Sequence, residues 1–336
     1  YIGTRTERYL ARQGEDTQVD MLLVDWESMG VAEQMVAVSV YQRQWNNVQR
    51  QDPVSGLTYW EYEREDVLVD EGTVTTDSLG LAAYTFQPEQ GGTYYLVFKT
   101  RDSLGNEIIN DHYVWVTSAD YVSWQMNNNN RIPLIADRDD YRVGDTAEIL
   151  IASPFQGESH ALITVERAGV MYREVVTMDT NSYVYQLPIE ARFAPNVFVS
   201  VMIVSGVSDT SPVSEFRMGM IQLPVNIEQN RLTVELTPST DRAQPQDVVT
   251  YDVRVTDYVG DPVRAEVGLA LTDAAALVIA PPPHLANDWM LNTFFREQGV
   301  SVRTSTPLTI NADRVTQDIL DAIKGGGGGG GAGLAT

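Results

Sequence analysis

Asp137, Asp139 and Asp140 place three carboxylates within four residues, at an apparent turn between strands. Calcium takes oxygen ligands of this kind. The competing reading is a solvated turn that caps a strand, and no EF-hand-like spacing follows. The histidines, His112, His160 and His284, are far apart in sequence, and none forms a metal-spaced pair. Ser159 precedes His160, but neighbours along a strand point to opposite faces, which argues against a hydrolase pair. There is no G-x-S-x-G and no glycine loop leading into a helix that would cradle phosphate. The chain has no cysteine, which excludes disulfides, thiolate metal sites and thioesters within these residues. Trp45, Tyr59, Trp60 and Tyr62 cluster around an expected hairpin. Such a cluster either binds sugar or peptide or packs a core or an interdomain contact. No convergent set of titratable groups emerges, so the sequence predicts no enzyme, no cofactor and no metal beyond the calcium candidate.

Seven consecutive glycines, Gly325, Gly326, Gly327, Gly328, Gly329, Gly330 and Gly331, stand near the C-terminus. Glycine loses the most backbone freedom on folding and has no side chain to bury. The run is therefore expected as flexible, exposed slack, spanning roughly 13–16 Å by random-coil scaling. The 336 residues carry a formal charge of −23, from 46 acidic and 23 basic side chains. That surface repels nucleic acid and anionic membrane. No apolar run approaches the roughly 18 residues of a membrane-spanning helix, so any anchoring would need regions outside this sequence. The chain opens on Tyr1, which suggests a fragment or a processed form.

The elements around these residues read as strands. Tyr94, Leu96 and Phe98, then Val197, Val199, Val201 and Ile203, then Val249, Tyr251, Val253 and Val255 alternate with their neighbours at period two. Asp77-Ser78-Leu79-Gly80, Gly91-Gly92, Asp102-Ser103-Leu104-Gly105-Asn106 and Gly260-Asp261-Pro262 punctuate them as turns. Many short strands without long helical windows predict an all-β chain of tandem antiparallel sandwiches. Each of three blocks opens on a turn, an acidic residue and an alternating strand: Gln13-Gly14-Glu15, Val143-Gly144-Asp145 and Pro245-Gln246-Asp247. The expected boundaries are 1–118, 119–225, and 226–310 for a sandwich incomplete at its C-terminal side. Residues 311–336 follow, with a short helix on Val315, Ile319 and Ile323. A second short helix is expected over Leu285–Glu297, and strand-like chain over Val300–Ile310.

The run Asp139–Ile151, with Ser153-Pro154-Phe155 and Leu162–Arg167, resembles a macroglobulin-type domain of the bacterial α2-macroglobulins. Thr250–Asp257, Gly260–Val263 and Ala265–Asp273 resemble the next such domain, which in that family carries the bait region. The third block departs from the pattern at Gln244-Pro245-Gln246-Asp247 and at Asp273-Ala274-Ala275. The resemblance covers essentially the whole chain, as a middle portion of a longer protein. It implies an immunoglobulin-like β-sandwich fold and a broad-spectrum protease inhibitor that is triggered by a cut in an exposed bait and then traps the protease. It also implies target proteases and downstream domains as partners, and a periplasmic or extracellular place. Arg314 and Lys324 would suit trypsin-like enzymes, and Leu320, Ile323 and Leu334 enzymes with apolar preferences. The glycines would be slack inside the bait, and the chain would stop within it. The alternative is a structural stalk or adhesin of tandem immunoglobulin-like domains with a polyglycine linker.

Overall fold

The computed structural model describes residues 1–302 apart from 52, 54–57, 126–129, 156, 207–214, 245 and 270–288. Alternating apolar residues fold into two sheets over residues 1–117. One sheet has the order β1 (Ile2–Arg5), β3 (Thr17–Leu23), β6 (Leu81–Phe86). The other runs β2 (Leu10–Arg12), β8 (Glu107–Thr117), β7 (Gly92–Arg101), β4 (Met35–Gln51), β5 (Thr58–Thr75). Val19, Met21 and Leu23 of the first sheet meet Val36, Val38, Val40, Tyr94, Leu96 and Phe98 of the second in one buried core. Burial at every second residue is what a half-solvated strand dictates. Beyond the reach of β7, β4 and β5 continue as a two-stranded arm, Gln44–Gln51 against Thr58–Glu65.

The second sandwich repeats the plan. Its sheets are β13 (Ser182–Pro188), β10 (Thr146–Ala152), β9 (Leu134–Ala136), and β12 (Val170–Met178), β11 (Ser159–Glu166), β14 (Asn196–Ser205), β15 (Glu215–Pro224). Ile149 and Ile151 pack against Ala161, Ile163, Val165, Val197, Val199, Val201 and Ile203. In the third block β16 (Thr233–Pro238) pairs with β17 (Tyr251–Thr256), and none of their side chains is buried. The expected helix forms over α1 (Trp289–Phe294). Residues 296–302 follow without strand pairing, so the described part of the expected stretch from Val300 is not a strand. The expected helix on Val315, Ile319 and Ile323 lies outside the described residues.

One turn recurs at the head of all three blocks. The N–H of Glu15 donates to the carbonyl of Arg12, that of Asp145 to Arg142, and that of Asp247 to Gln244. Gly14, Gly144 and Gln246 take φ of +80°, +97° and +82° at the third position. A type II turn requires a positive φ there, which glycine adopts without strain. Asp145 and Asp247 also accept the N–H of Arg142 and Gln244, so the third turn closes in the same way without a glycine. Chemical denaturation should show Gly144→Ala destabilising the chain by about 1–2 kcal/mol. Gln246→Gly should protect the β16–β17 hairpin against hydrogen exchange rather than loosen it.

Candidate functional site

Two contacts fix the second sandwich, one toward the first sandwich and one toward the residues that precede position 303. The first centres on Asp137, whose side chain is 1% exposed. One oxygen accepts the Tyr141 hydroxyl at 2.8 Å and the Glu148 N–H at 2.8 Å. The other meets Arg8 Nε of the first sandwich at 3.2 Å, and Arg138 Nε lies 3.5 Å away. Arg8 also pairs with Glu148. Burial and the neighbouring carboxylate push the Tyr141 hydroxyl far above its ordinary pKa, so it stays a donor. Tyr9 adds a hydroxyl bond to Asp139 at 2.8 Å and a backbone bond to the Asp137 carbonyl at 2.8 Å.

Asp137 and Asp139 thus bond to the first sandwich, and Asp140 is exposed. Among the described residues, no three His, Asp or Glu side chains gather into a group that could hold a metal. The calcium candidate therefore has no cage here: the charge facing Asp137 is supplied by guanidinium groups.

Apolar packing seals the same junction. Leu10, Val122, Trp124, Leu150 and Ala152 form a separate buried cluster, with Trp115 and Ile135 against it. Asn181 clips the connecting segment to the second sandwich. Its amide accepts the Val122 N–H at 3.0 Å and donates to the Val122 carbonyl at 2.7 Å, while its backbone carbonyl accepts Trp124 Nε1 at 3.0 Å. An aromatic ladder, Tyr41, Tyr95, Tyr113 and Trp115, crosses the outer face of the first sandwich toward this cluster. Arg43 lies over Tyr95 and Tyr113 and pairs with Asp66 at 2.9 Å. The arm supplies Trp45, whose carbonyl accepts Ser123 Oγ at 2.5 Å. Of the expected aromatic cluster, Trp45 and Tyr62 are half-buried, and the Tyr59 and Trp60 side chains lie outside the described residues.

The second contact is a clasp. Asn196, fully buried at the start of β14, donates from Nδ2 to the Gln298 carbonyl at 2.9 Å and accepts the Gln298 N–H through Oδ1 at 3.0 Å. One amide side chain thereby imitates a strand partner. The Ser301 N–H donates to the Arg167 carbonyl at 3.1 Å, and Ser301 Oγ to the Ala168 carbonyl at 2.6 Å. The Arg167 guanidinium donates to the Ala194 carbonyl at 2.6 Å and holds the turn before Asn196. The chain is thus pinned to the second sandwich just ahead of residue 303. The expected cleavage residues Arg314, Leu320, Ile323, Lys324 and Leu334, and Gly325–Gly331, lie outside the described residues.

Ser159 points inward and His160 outward, as their adjacency requires. His112 is buried, with Nδ1 3.3 Å from Thr4 Oγ1 and its ring stacked on Tyr9. Burial lowers its pKa against the opposing pull of Asp111. His284 lies outside the described residues. The clasp had no warning in the sequence beyond an asparagine at the edge of an apolar run.

The fold is a tandem of antiparallel β-sandwiches joined through a buried ion pair. Residues 132–279 match the alpha-2-macroglobulin bait region domain. The alpha-2-macroglobulin homolog of Nostoc is 22% identical over 313 residues, covering 90% of this chain and 16% of its own length. The alpha-2-macroglobulin of Ralstonia nicotianae is 29% identical over 261 residues, covering 74% of this chain and 15% of its own. Among solved structures, the native conformation of E. coli alpha-2-macroglobulin matches with a TM-score of 0.32 at 18% identity, over 77% of this chain and 17% of that one. The chain is thus similar to alpha-2-macroglobulins along most of its length. It spans about a sixth of the length of the relatives it matches.

Substitutions test the junction. Arg8→Ala leaves a buried carboxylate short of a cation and should cost about 2–3 kcal/mol in denaturant unfolding. Asn181→Ala should cost a similar amount, about 2–3 kcal/mol, by orphaning buried backbone groups. Because the folded pKa of His112 is depressed, the unfolded chain takes up the proton first. Thermal stability should therefore fall as pH drops below about 6.5, and His112→Gln should flatten that slope.

Proposed function

We propose that this chain is part of a protease inhibitor that is sprung by being cut. The observation that carries the reading is the bait-region-domain match over residues 132–279, which lies ahead of the cleavage candidates. The physical argument is access. A protease cleft takes its substrate as extended chain, and paired strands do not enter it without unfolding. In this reading the two sandwiches and the clasp form a fixed base, and residues 311–336 begin the bait, with the seven glycines as slack. Cuts would fall at Arg314, Leu320, Ile323, Lys324 or Leu334, and severing the tether would let neighbouring domains rearrange around the protease. The corresponding domains are 1–118, 119–225 and 226–310, the last incomplete at its C-terminal side. The inhibitor would work in the periplasm or outside the cell and would itself catalyse nothing. The stalk reading draws no support from the relatives.

Limited proteolysis with a trypsin-like, an elastase-like and a chymotrypsin-like enzyme, read by mass spectrometry, tests this. The first cuts should cluster beyond Asn311 with all three enzymes. Asn196→Ala should add early tryptic cuts at Arg296, because the clasp no longer holds Gln298. First cuts inside the sandwiches would overturn the proposal.

A further inference from the structure

The pole of the first sandwich farthest from the junction carries an apolar crown. Trp26 is 82% exposed and Leu104 85%, and Tyr1, Met29, Met35 and Leu79 are each more than half exposed. Strand register brings them to one end: β3 leaves there at Leu23, β4 enters at Met35 and β7 turns into β8 after Arg101. Direct contacts tie their loops together. The N–H of Val24 donates to the Tyr1 carbonyl at 3.0 Å. Gly30 lies so close to Leu79 that an added Cβ would sit 2.1 Å from its carbonyl oxygen. The Gln34 amide donates to Thr100 Oγ1 at 2.9 Å, and Thr100 Oγ1 to the Met35 carbonyl at 2.8 Å.

The loops that present these side chains share one rigid construction. Asp25 accepts the N–H groups of Glu27 and Met29, Asp77 those of Leu79 and Leu81, and Asp102 those of Leu104 and Asn106, all at 2.8–2.9 Å. In each, the aspartate N–H also donates to the carbonyl four residues on. Ser28, Gly80 and Gly105 supply the positive φ that closes the loop. Large apolar side chains held in water on ordered turns lose little conformational freedom on binding, the property of interface anchors. An exposed patch of this extent marks an interaction surface.

We infer that the crown is an end-on docking surface for another folded protein domain, one with an apolar face and a cationic rim. Two observations select that occupant. Around the crown stand Asp25, Glu27, Glu33, Asp77 and Asp102, with Arg101 and the Tyr1 ammonium as opposing charges. A like-charged second copy is repelled there, and a basic rim is attracted. The opposite pole already shows how such an end is covered: Leu10, Val122 and Trp124 meet Leu150 and Ala152 of the next sandwich beside the Arg8–Asp137 pair. The crown offers a comparable mixture of aromatic and aliphatic side chains, with the acidic partner on its own side. This inference does not depend on the protease-inhibitor reading.

Hydroxyl-radical footprinting tests it. Oxidation of Trp26, Met29 and Met35 is compared between the isolated 336-residue chain and the polypeptide that contains it, purified from its own cells. Trp124 serves as the internal buried reference. The docking surface requires several-fold protection of these three residues in the cellular polypeptide only. It also requires that the protection be lost when Glu27→Lys and Glu33→Lys are introduced together into the cellular polypeptide. Equal oxidation in both samples overturns the inference, and protection that persists with Glu27→Lys and Glu33→Lys together overturns the cationic rim. Concentration-dependent protection in the isolated chain, abolished by Trp26→Ser together with Leu104→Ser, would assign the crown to a second copy and equally overturn it.

Discussion

A carboxylate with 1% exposure needs every lone pair occupied, and Asp137 meets that demand by drawing on both sandwiches. Tyr141 and the Glu148 N–H come from its own sandwich, and Arg8 from the other. Hydrophobic contact alone would let two sandwich ends slide, because dispersion and burial are non-directional. The ion pair and its hydrogen bonds fix one rotation. The Leu10–Val122–Trp124 cluster then supplies the burial. Removing the cation would strand the charge, which is why the pair acts more as a register than as a source of stability.

The second sandwich is therefore held from two sides by polar groups buried at strand ends. Asp137 joins it to residues 8 and 9, and Asn196 joins it to residue 298. Both are short side chains that complete backbone pairing where a sheet stops. The third block contrasts with this. Its hairpin buries no side chain among the described residues, while the chain that leaves it is pinned back to the second sandwich. Among the described residues, the chain just before residue 303 thus rests on the second sandwich rather than on the β16–β17 hairpin.

Much of this was legible beforehand because it is local. Period-two alternation at Tyr94–Phe98 and Val197–Ile203 located strands whose inward residues are buried. Asp77–Gly80 and Asp102–Asn106 announced their loops, since an aspartate that accepts two N–H groups and a glycine at positive φ are written in adjacent positions. The three block openings foretold the recurring turn, down to the missing glycine at Gln246. What the sequence withheld is long-range. Arg8 and Asp137 lie 129 residues apart, and Asn196 and Gln298 lie 102 apart. Read alone, Asp137 suggested a calcium ligand, and nothing in its neighbourhood marked Asn196 as a clasp. Only the fold brings up the partner that decides, and no periodicity encodes that choice.

The central claim is that the two sandwiches and the clasp form one rigid base that survives a cut beyond it. Hydrogen exchange mapped by mass spectrometry on the chain before and after cleavage beyond Asn311 tests this most directly. The account predicts unchanged protection at Leu10–Arg12, Val122–Trp124, Asn196–Ser205 and Gln298–Ser301. Loss of protection at the junction or at Gln298–Ser301 upon that cut would contradict it.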